Sequence, residues 1–175
     1  MKKITALLTA LVLALTLLSA CGGSTQTEAP MGFIEISDDG VTYDLFVPAE
    51  WTPDVSTGMT SAYYDGRDPS NVSMMAFELD RTFTGVADYW ASYEPDLKAM
   101  FPDLEYTDQS EVTLDGVPAM QYIYTGTLSD LTYKIMQLVA IKDNTIYIFT
   151  YTATVDKYDT HIEDVIALLD YFRFK

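Results

Sequence analysis

Two long apolar segments near the C-terminus, residues 133–142 and 145–154, most strongly constrain the fold. Only Asp143 and Asn144 separate them, which predicts a tight turn between two antiparallel strands. Both alternating faces of the first segment are apolar, with Ile135, Val139 and Ile141 on one and Met136, Leu138 and Ala140 on the other. A sheet with one solvated face would alternate apolar with polar residues. The centre of the sheet is therefore expected to be covered on both sides.

The rest of the chain supplies shorter strands and two amphipathic helices. Alternation and turn residues predict strands at 33–36, 41–47, 60–64, 72–79, 104–114, 117–126, 131–142, 145–154 and 171–174. Helical spacing predicts helices at 86–101 and 158–169, with Thr84 capping the first helix and Pro95 kinking or splitting it. These elements predict an α+β domain, an antiparallel β-sheet covered by helices on both faces.

The N-terminal segment predicts export and attachment to a membrane. Lys2 and Lys3 precede an apolar run over 4–18, which is too short to cross a bilayer and is typical of a signal peptide. The sequence Leu18-Ser19-Ala20-Cys21 resembles the lipobox of bacterial lipoproteins. That resemblance implies attachment of diacylglycerol to Cys21 and cleavage before it, and two acyl chains give stable anchoring.

These features divide the chain into three parts. Residues 1–20 are the signal peptide, residues 21–31 are the lipidated Cys21 with a small, polar, flexible tether, and residues 32–175 form a single domain. The protein is therefore expected to be extracytoplasmic and lipid-anchored to a bacterial membrane, in the cell envelope.

The charge and the cysteine content exclude several classes of function. The formal net charge is −16, so the surface repels nucleic-acid phosphates and anionic lipid head groups. We therefore expect no nucleic-acid partner, and membrane contact only through the lipid on Cys21. The single cysteine excludes an intramolecular disulfide and any multi-cysteine zinc site.

Four short segments carry a resemblance to a known fold. They are residues 43–51 (Tyr-Asp-Leu-Phe-Val-Pro-Ala-Glu-Trp), residues 114–119 (Leu-Asp-Gly-Val-Pro-Ala), the strand over 147–153, and Phe172 with Phe174 at the end of the closing helix. Over 33–175 the order of elements resembles the PsbP-like (Mog1/PsbP) fold, an α/β/α sandwich found in many bacterial lipoproteins. Members are mostly scaffolding or assembly partners, so the resemblance implies binding, and it supplies no catalytic residue.

His161 is the only histidine, so any Ser-His-Asp or Cys-His device would have to use it. It lies among Asp159, Glu163 and Asp164 on the predicted closing helix, away from the apolar face. We expect an exposed surface histidine. The sequence therefore shows no catalytic constellation, and we predict no enzyme activity and no cofactor.

Two groups of residues could bind metal ions. We predict no metal site, because the spacing of Asp65, Asp68 and Asn71 differs from an EF-hand and these residue types are common in turns. Their oxygen ligands at i, i+3 and i+6 leave calcium as an alternative. Met74 and Met75 could bind copper(I) with Met120 and Met136. Because neighbours in a strand point to opposite faces, we expect these methionines to pack in the core instead.

The preferred hypothesis is a lipid-anchored binding or assembly module that uses a sheet edge or an acidic, tyrosine-rich surface. That surface comprises Tyr63, Tyr64, Asp65, Arg67 and Asp68, and its partner would be an envelope protein or a small ligand. An alternative is a small-ligand or divalent-metal binding protein that serves a transport or sensing system. A third is a hydrolase that uses carboxylates such as Glu78, Asp80 and Glu94, but nothing in the sequence pairs two of them.

Overall fold

The structure is a computed structural model that describes residues 28–175 except Val55, Thr57 and Arg81. The predicted signal peptide, the lipidated Cys21 and most of the tether lie outside the described residues. Neither helix of the described part is long and apolar enough to cross a membrane.

The described residues form strands and helices in the following order along the chain: β1 (Phe33–Glu35), β2 (Tyr43–Asp44), β3 (Phe46–Pro48), β4 (Thr52–Pro53), β5 (Thr60–Tyr63), β6 (Asn71–Glu78), α1 (Val86–Met100), β7 (Glu105–Leu114), β8 (Val117–Leu128), β9 (Leu131–Lys142), β10 (Thr145–Thr154), α2 (Tyr158–Tyr171) and β11 (Arg173–Phe174).

A seven-stranded antiparallel sheet organises the domain, in the order β4-β5-β6-β10-β9-β8-β7. β7 to β10 form a continuous meander, and β6 is added to the far side of β10. Two small sheets complete the fold. β1 pairs with β3 within the N-terminal segment, and β2 pairs with β11, which joins that segment to the C-terminus. The prediction of an antiparallel sheet combined with two helices is confirmed.

The sheet buries apolar side chains on both faces, as the pattern of β9 predicts. Met136, Leu138 and Ala140 belong to one core cluster together with Val165 and Leu168 of α2. Ile135 and Val139 alternate with them and belong to a second cluster, together with Trp90 and Leu97 of α1. The Trp90 ring stacks on Tyr122 at a centroid distance of 3.7 Å, and its Nε1 donates a hydrogen bond to the Tyr106 hydroxyl at 3.0 Å.

The cover on the α1 face ends before the sheet does. α1 packs chiefly against β8 and β9. On the same face of β6, Met75 and Phe77 remain 38% and 44% exposed, whereas Met74 on the opposite face is 1% exposed. The expectation that Met75 packs in the core is therefore wrong, because α1 does not reach that end of the sheet.

The single strand predicted at 41–47 is divided into β2 and β3. The two parts pair with different partners, β2 with β11 and β3 with β1. Leu45 lies between them and is fully buried. Its N–H donates to the Ser37 hydroxyl, and its carbonyl accepts a hydrogen bond from the Ile36 N–H. At the C-terminus, Tyr171 still belongs to α2, so the closing strand is shorter than predicted.

Pro95 does not split α1, which is continuous from Val86 to Met100. Proline removes the donor for the Ala91 carbonyl, but Ala91 and Pro95 lie on the exposed side of the helix, where water can bind that carbonyl. Thr84 is not the N-cap, a position held by Gly85. Instead, Asp88 in the first turn accepts hydrogen bonds from the amide and hydroxyl of Thr84, at 3.0 and 3.3 Å.

Candidate functional site

The connection between β5 and β6 is a compact turn organised by Asp65. One carboxylate oxygen of Asp65 accepts hydrogen bonds from the backbone amides of Arg67 and Asp68, at 2.5 and 2.9 Å. These two bonds stabilise the charged form and hold the pKa of the Asp65 carboxyl below its usual range. The Tyr64 amide donates to the Ser70 carbonyl at 2.8 Å and closes the turn. The shape of the turn is therefore set by its own hydrogen bonds.

A buried hydrogen bond between Asp68 and His161 ties this turn to α2. His161 Nε2 lies 3.0 Å from Asp68 Oδ2, and the two residues are 3% and 8% exposed. The imidazole ring packs against Tyr64 and Trp51, at centroid distances of 4.2 and 5.7 Å. The prediction of an exposed histidine is wrong, because Tyr64 and Trp51 from distant parts of the chain cover that side of the helix.

Both carboxylate oxygens of Asp68 take part in hydrogen bonds. Its Oδ1 accepts the Ser70 hydroxyl at 2.6 Å and the Ser70 amide at 3.2 Å. Burial alone would raise the pKa of Asp68, but the hydrogen bonds from Ser70 and His161 outweigh it and hold the pKa below its usual range. Ser70 donates to Asp68 and not to His161, so these residues do not form the nucleophile-base pair of a catalytic triad.

The five residues of the predicted binding surface are separated by the fold. Tyr63 and Asp65 line a shallow cleft of about 440 Å³ on the α1 face of the sheet. Tyr64 lies on the opposite face, against His161. Arg67 is exposed in the turn, and Asp68 is buried beneath it. The structure therefore does not join the five residues into one continuous surface.

One carboxylate oxygen of Asp65 and both of Asp68 already have protein partners, and the Asn71 side-chain amide donates to the Pro69 carbonyl at 2.9 Å. In the part of the chain that the structure describes, no group of three or more His, Cys, Asp or Glu residues is placed to hold a metal ion. Calcium binding at this turn stays the alternative to the prediction that no metal is bound. Of the carboxylates considered for a hydrolase, Glu78 ends β6, and Glu94 on α1 pairs with Lys98 at 3.2 Å.

The second half of β6 has a free edge. Thr60 opposite Met74 is the last pair between β5 and β6, yet β6 continues to Glu78. The bond from Tyr64 to Ser70 shows that even-numbered residues of β6 direct their backbone groups towards β5, since these directions alternate in antiparallel strands. Ala76 and Glu78 therefore direct N–H and C=O groups towards an edge that no described strand occupies.

A groove of about 480 Å³ runs along this edge, between β6 and residues 36–43. Met59, Met75 and Phe77 line it and are each more than a third exposed. Asp38 and Asp54 line the same groove. At one end of it, the Tyr43 hydroxyl donates to Thr60 Oγ1 at 2.7 Å. The groove thus combines unpaired backbone, exposed apolar side chains and negative charge.

Solved structures with the same architecture identify the fold. The solution structure of cyanobacterial PsbP (CyanoP) from Synechocystis sp. PCC 6803 matches 90% of this chain and 99% of its own, at 18% identity and a TM-score of 0.62. This chain has the PsbP-like (Mog1/PsbP) fold. The resemblance read from residues 43–51 and 114–119 is confirmed for the fold. No family model matches the sequence, and a search of curated proteins gives no match.

Two further PsbP-like structures support the same assignment of fold. The Ran-binding protein Mog1p from Saccharomyces cerevisiae matches 83% of this chain and 96% of its own, at 11% identity and a TM-score of 0.59. LpqN of Mycobacterium tuberculosis, involved in cell envelope biogenesis, matches 82% and 90%, at 18% identity and a TM-score of 0.56. At these identities the comparisons establish the fold alone.

Sequence reasoning missed the Asp68–His161 pair and located the free edge only in general terms. A signal for the edge is present, because the predicted strand at 60–64 is shorter than its partner at 72–79. Two paired strands of unequal length leave part of the longer strand unpaired. No comparable signal exists for the buried pair, since the contact joins residues far apart in the chain.

Proposed function

We propose that this protein is a lipid-anchored extracytoplasmic binding module that acts by capturing an extended segment of a partner protein, and not by catalysis. The observation that carries the proposal is the free edge of β6 at Ala76 and Glu78. An extended peptide can add to such an edge as a further strand, with its backbone supplying the hydrogen bonds.

Exposed apolar residues beside the edge support this mode of binding. Natural proteins usually protect free edges with charged side chains, prolines or bulges, because an apolar edge promotes aggregation. Here Met75 and Phe77 lie exposed on one side of the edge, and Met59 lines the groove beside it. Burial of these side chains by a partner would add an apolar term to the free energy of binding, which backbone pairing alone does not supply.

The charge of the protein specifies the chemistry of the partner. The net charge is −16, and Asp38 and Asp54 line the groove while Glu78 ends the edge. A basic segment with alternating apolar residues complements this surface, because opposite potentials favour encounter and disfavour acidic competitors. We therefore propose a partner segment rich in lysine or arginine.

The anchor on Cys21 sets where the partner would be found. The predicted tether over 21–31 is short, so the lipidated domain would stay close to the membrane surface. Two proteins of the same fold give support by analogy, since Mog1p is a Ran-binding protein and LpqN is involved in cell envelope biogenesis. An envelope protein is the partner that we propose.

We also infer that α1 and α2 lie on opposite faces of the sheet, as the α/β/α arrangement requires. Support comes from β9, whose alternating residues belong to the α1 cluster and the α2 cluster in turn. In that arrangement the free edge of β6 lies beyond the part of the sheet that α1 covers, and it is open to a partner.

Site-specific photo-crosslinking tests the proposal in the cells that produce the lipidated full chain. p-Benzoylphenylalanine replaces Phe77, which is 44% exposed beside the edge, or Ile166, which is 53% exposed on α2 and serves as the matched control. We expect one crosslinked protein from position 77 and none from position 166. Equal crosslinking at both positions, or none at position 77, would overturn the proposal.

A backbone substitution sharpens the test. Ala76→Pro removes an N–H that faces the free edge, so no bond to β10 is lost, and proline is tolerated on the open side of edge strands. We expect Ala76→Pro to abolish the crosslink from position 77 while the circular dichroism spectrum stays unchanged. An unchanged crosslink would show that strand addition is not the mode of binding.

A further inference from the structure

A separate cleft of about 360 Å³ lies beside α1, where the helix leaves part of the sheet face uncovered. The side chains of α1 form one wall, and the ends of β8 and β9 form the other. The floor is the sheet itself. None of the residues that line this cleft is an aspartate, glutamate, lysine, arginine or histidine. In a chain in which 21% of residues are charged, a wholly uncharged cleft is distinctive.

The floor of the cleft is polar because of the strand register. Asn71 on β6 is opposite Thr152 on β10, and Thr150 on β10 is opposite Gln137 on β9. Residues two apart along a strand share a face, so these four side chains lie together on the α1 face. They present amide and hydroxyl groups at the bottom of the cleft.

A hydrogen-bonded relay fixes the amide of Gln137. The Tyr124 hydroxyl donates to Gln137 Oε1 at 2.9 Å, and Gln137 Nε2 donates to Thr150 Oγ1 at 3.2 Å. Burial raises the pKa of the Tyr124 phenol, which therefore stays protonated and keeps its role as donor. The relay holds Nε2 towards Thr150 of β10, which also lines the cleft.

The relay leaves hydrogen-bonding capacity unused. An amide nitrogen carries two donors, and Gln137 Nε2 makes one hydrogen bond within the described chain. Thr150 accepts that bond, so its own hydroxyl proton remains available to a further acceptor. Gln137 is only 5% exposed, and a buried polar group with unused capacity is costly unless a ligand or water completes it.

The walls of the cleft are aromatic and aliphatic. Tyr93 and Met100 of α1 face Leu128 and Tyr133 of the β8–β9 hairpin across the cleft. Met100 and Leu128 are 58% and 49% exposed, so a ligand would remove substantial apolar surface from water. Small-molecule sites typically combine such apolar walls with a few fixed polar groups.

We infer that this cleft binds a small neutral molecule that joins an amide or hydroxyl group to an apolar or aromatic part. The polar end would accept from Gln137 and Thr150, and the apolar part would lie between Met100 and Leu128. A charged ligand would lose its hydration without a counter-charge in the lining. The cleft shares no residue with the groove along β6, so the inference is independent of the proposed capture of a partner protein.

Three probes of nearly equal shape test the selection against charge: benzamide is neutral, benzoate is an anion and benzamidinium is a cation. Binding to the lipidated full chain in nanodiscs is measured by saturation-transfer difference NMR, with empty nanodiscs subtracted. Benzamide is a fragment-sized ligand, and the protein should bind it with a Kd on the order of 1–10 mM. We expect both charged probes to bind at least about 10-fold more weakly, since neither finds a counter-charge.

Matched variants locate the binding. Thr150→Val removes the hydroxyl from the floor of the cleft with little change in shape. Thr125→Val is the control, because Thr125 neighbours Tyr124 in β8 and therefore points to the opposite face. We expect Thr150→Val to raise the Kd for benzamide about 5-fold, as the loss of one neutral hydrogen bond implies. Thr125→Val should leave that Kd unchanged.

Three results would overturn the inference. They are no saturation transfer to benzamide above the empty nanodisc, equal affinity for the neutral and charged probes, and equal effects of the two variants. Gln137→Leu provides a second approach if Thr150→Val fails to fold, and its folding is checked by the near-ultraviolet circular dichroism spectrum. A Gln137→Leu chain that folds and binds benzamide as the wild type does would also contradict the inference.

Discussion

The two halves of β6 belong to one strand but have opposite surroundings. From Asn71 to Met74 the strand is paired on both sides, and the turn before it is tied to α2 by the Asp68–His161 bond. From Met75 to Glu78 it is paired only with β10, and all four residues are exposed. The difference arises because β5 is four residues long and β6 is eight. Because the two strands differ in length, β6 has a structural half, Asn71 to Met74, that is paired on both sides. Its available half, Met75 to Glu78, has one edge that is open to a further strand.

The comparison implies that stability and binding depend on different halves. Substitutions in the structural half remove buried contacts, whereas substitutions in the available half remove side chains that water already reaches. The predictions that follow would break or sharpen this division.

The largest effect is expected at Asp68. Asp68→Ala leaves the buried His161 ring nitrogen and the Ser70 hydroxyl without their partner, and each buried polar group left unsatisfied costs about 1–3 kcal/mol. We expect a decrease of this size in the free energy of unfolding, measured by urea denaturation at pH 7. Asp39→Ala is the control, because Asp39 is exposed, and it should change stability by less than about 0.5 kcal/mol.

The loss of stability caused by Asp68→Ala is expected to depend on pH. The pKa of Asp68 is lowered in the folded state, so its carboxylate contributes stability above the unfolded-state pKa of about 3.9 and loses that contribution as pH falls through the folded value. The difference in stability between wild type and Asp68→Ala should therefore shrink in acid. A difference that is constant between pH 7 and pH 3 would show that the lost interaction is not ionic.

An intermediate effect is expected at two adjacent methionines. Met74 is 1% exposed and Met75 is 38% exposed. Truncation of a buried methionine costs about 2–5 kcal/mol, so Met74→Ala should destabilise the domain by that amount. Met75→Ala should cost less than about 0.5 kcal/mol, as expected for a surface position. Thermal and urea unfolding of the two variants measure both values, and similar costs at the two positions would contradict the division of β6.

The smallest and most local effect concerns backbone amides. The N–H groups of Met75 and Phe77 face β10, whereas those of Ala76 and Glu78 face the free edge. In native-state hydrogen exchange of the full chain, Ala76 should exchange roughly 100-fold faster than Met75 and Phe77, a difference of about 2.7 kcal/mol in opening free energy. Uniform protection across the four residues would show that the edge is occupied.

The sequence predicts the parts of the fold that depend on local periodicity. β9 and β10 are predicted almost to the residue, because both their faces are apolar and a short turn joins them. The α1 helix follows from its spacing even though it contains Pro95. The division of 41–47 into β2 and β3 could not be predicted, since it depends on pairing with β1 and β11, which no local pattern encodes.

The candidate sites were less accessible to sequence reasoning, for a related reason. His161 is flanked by acidic residues in the sequence, and its burial comes from Trp51 and Tyr64, which are remote in the chain. The uncharged cleft likewise depends on the register that places Asn71 beside Thr152 and Gln137 beside Thr150. Periodicity assigns these residues to a face, but only tertiary pairing assigns them to a site.

The strand order has a kinetic consequence for β6. β7 to β10 can form by successive hairpins between neighbouring segments, whereas β6 must wait for β10, because α1 and three strands lie between them in the chain. Pairings that close long loops form slowly. During synthesis from the N-terminus, the apolar residues Met75 and Phe77 therefore emerge well before the strand that anchors them. The segment that we propose as a docking edge is also the one most prone to misassembly in the nascent chain, and its acidic surroundings would repel a second copy during that interval.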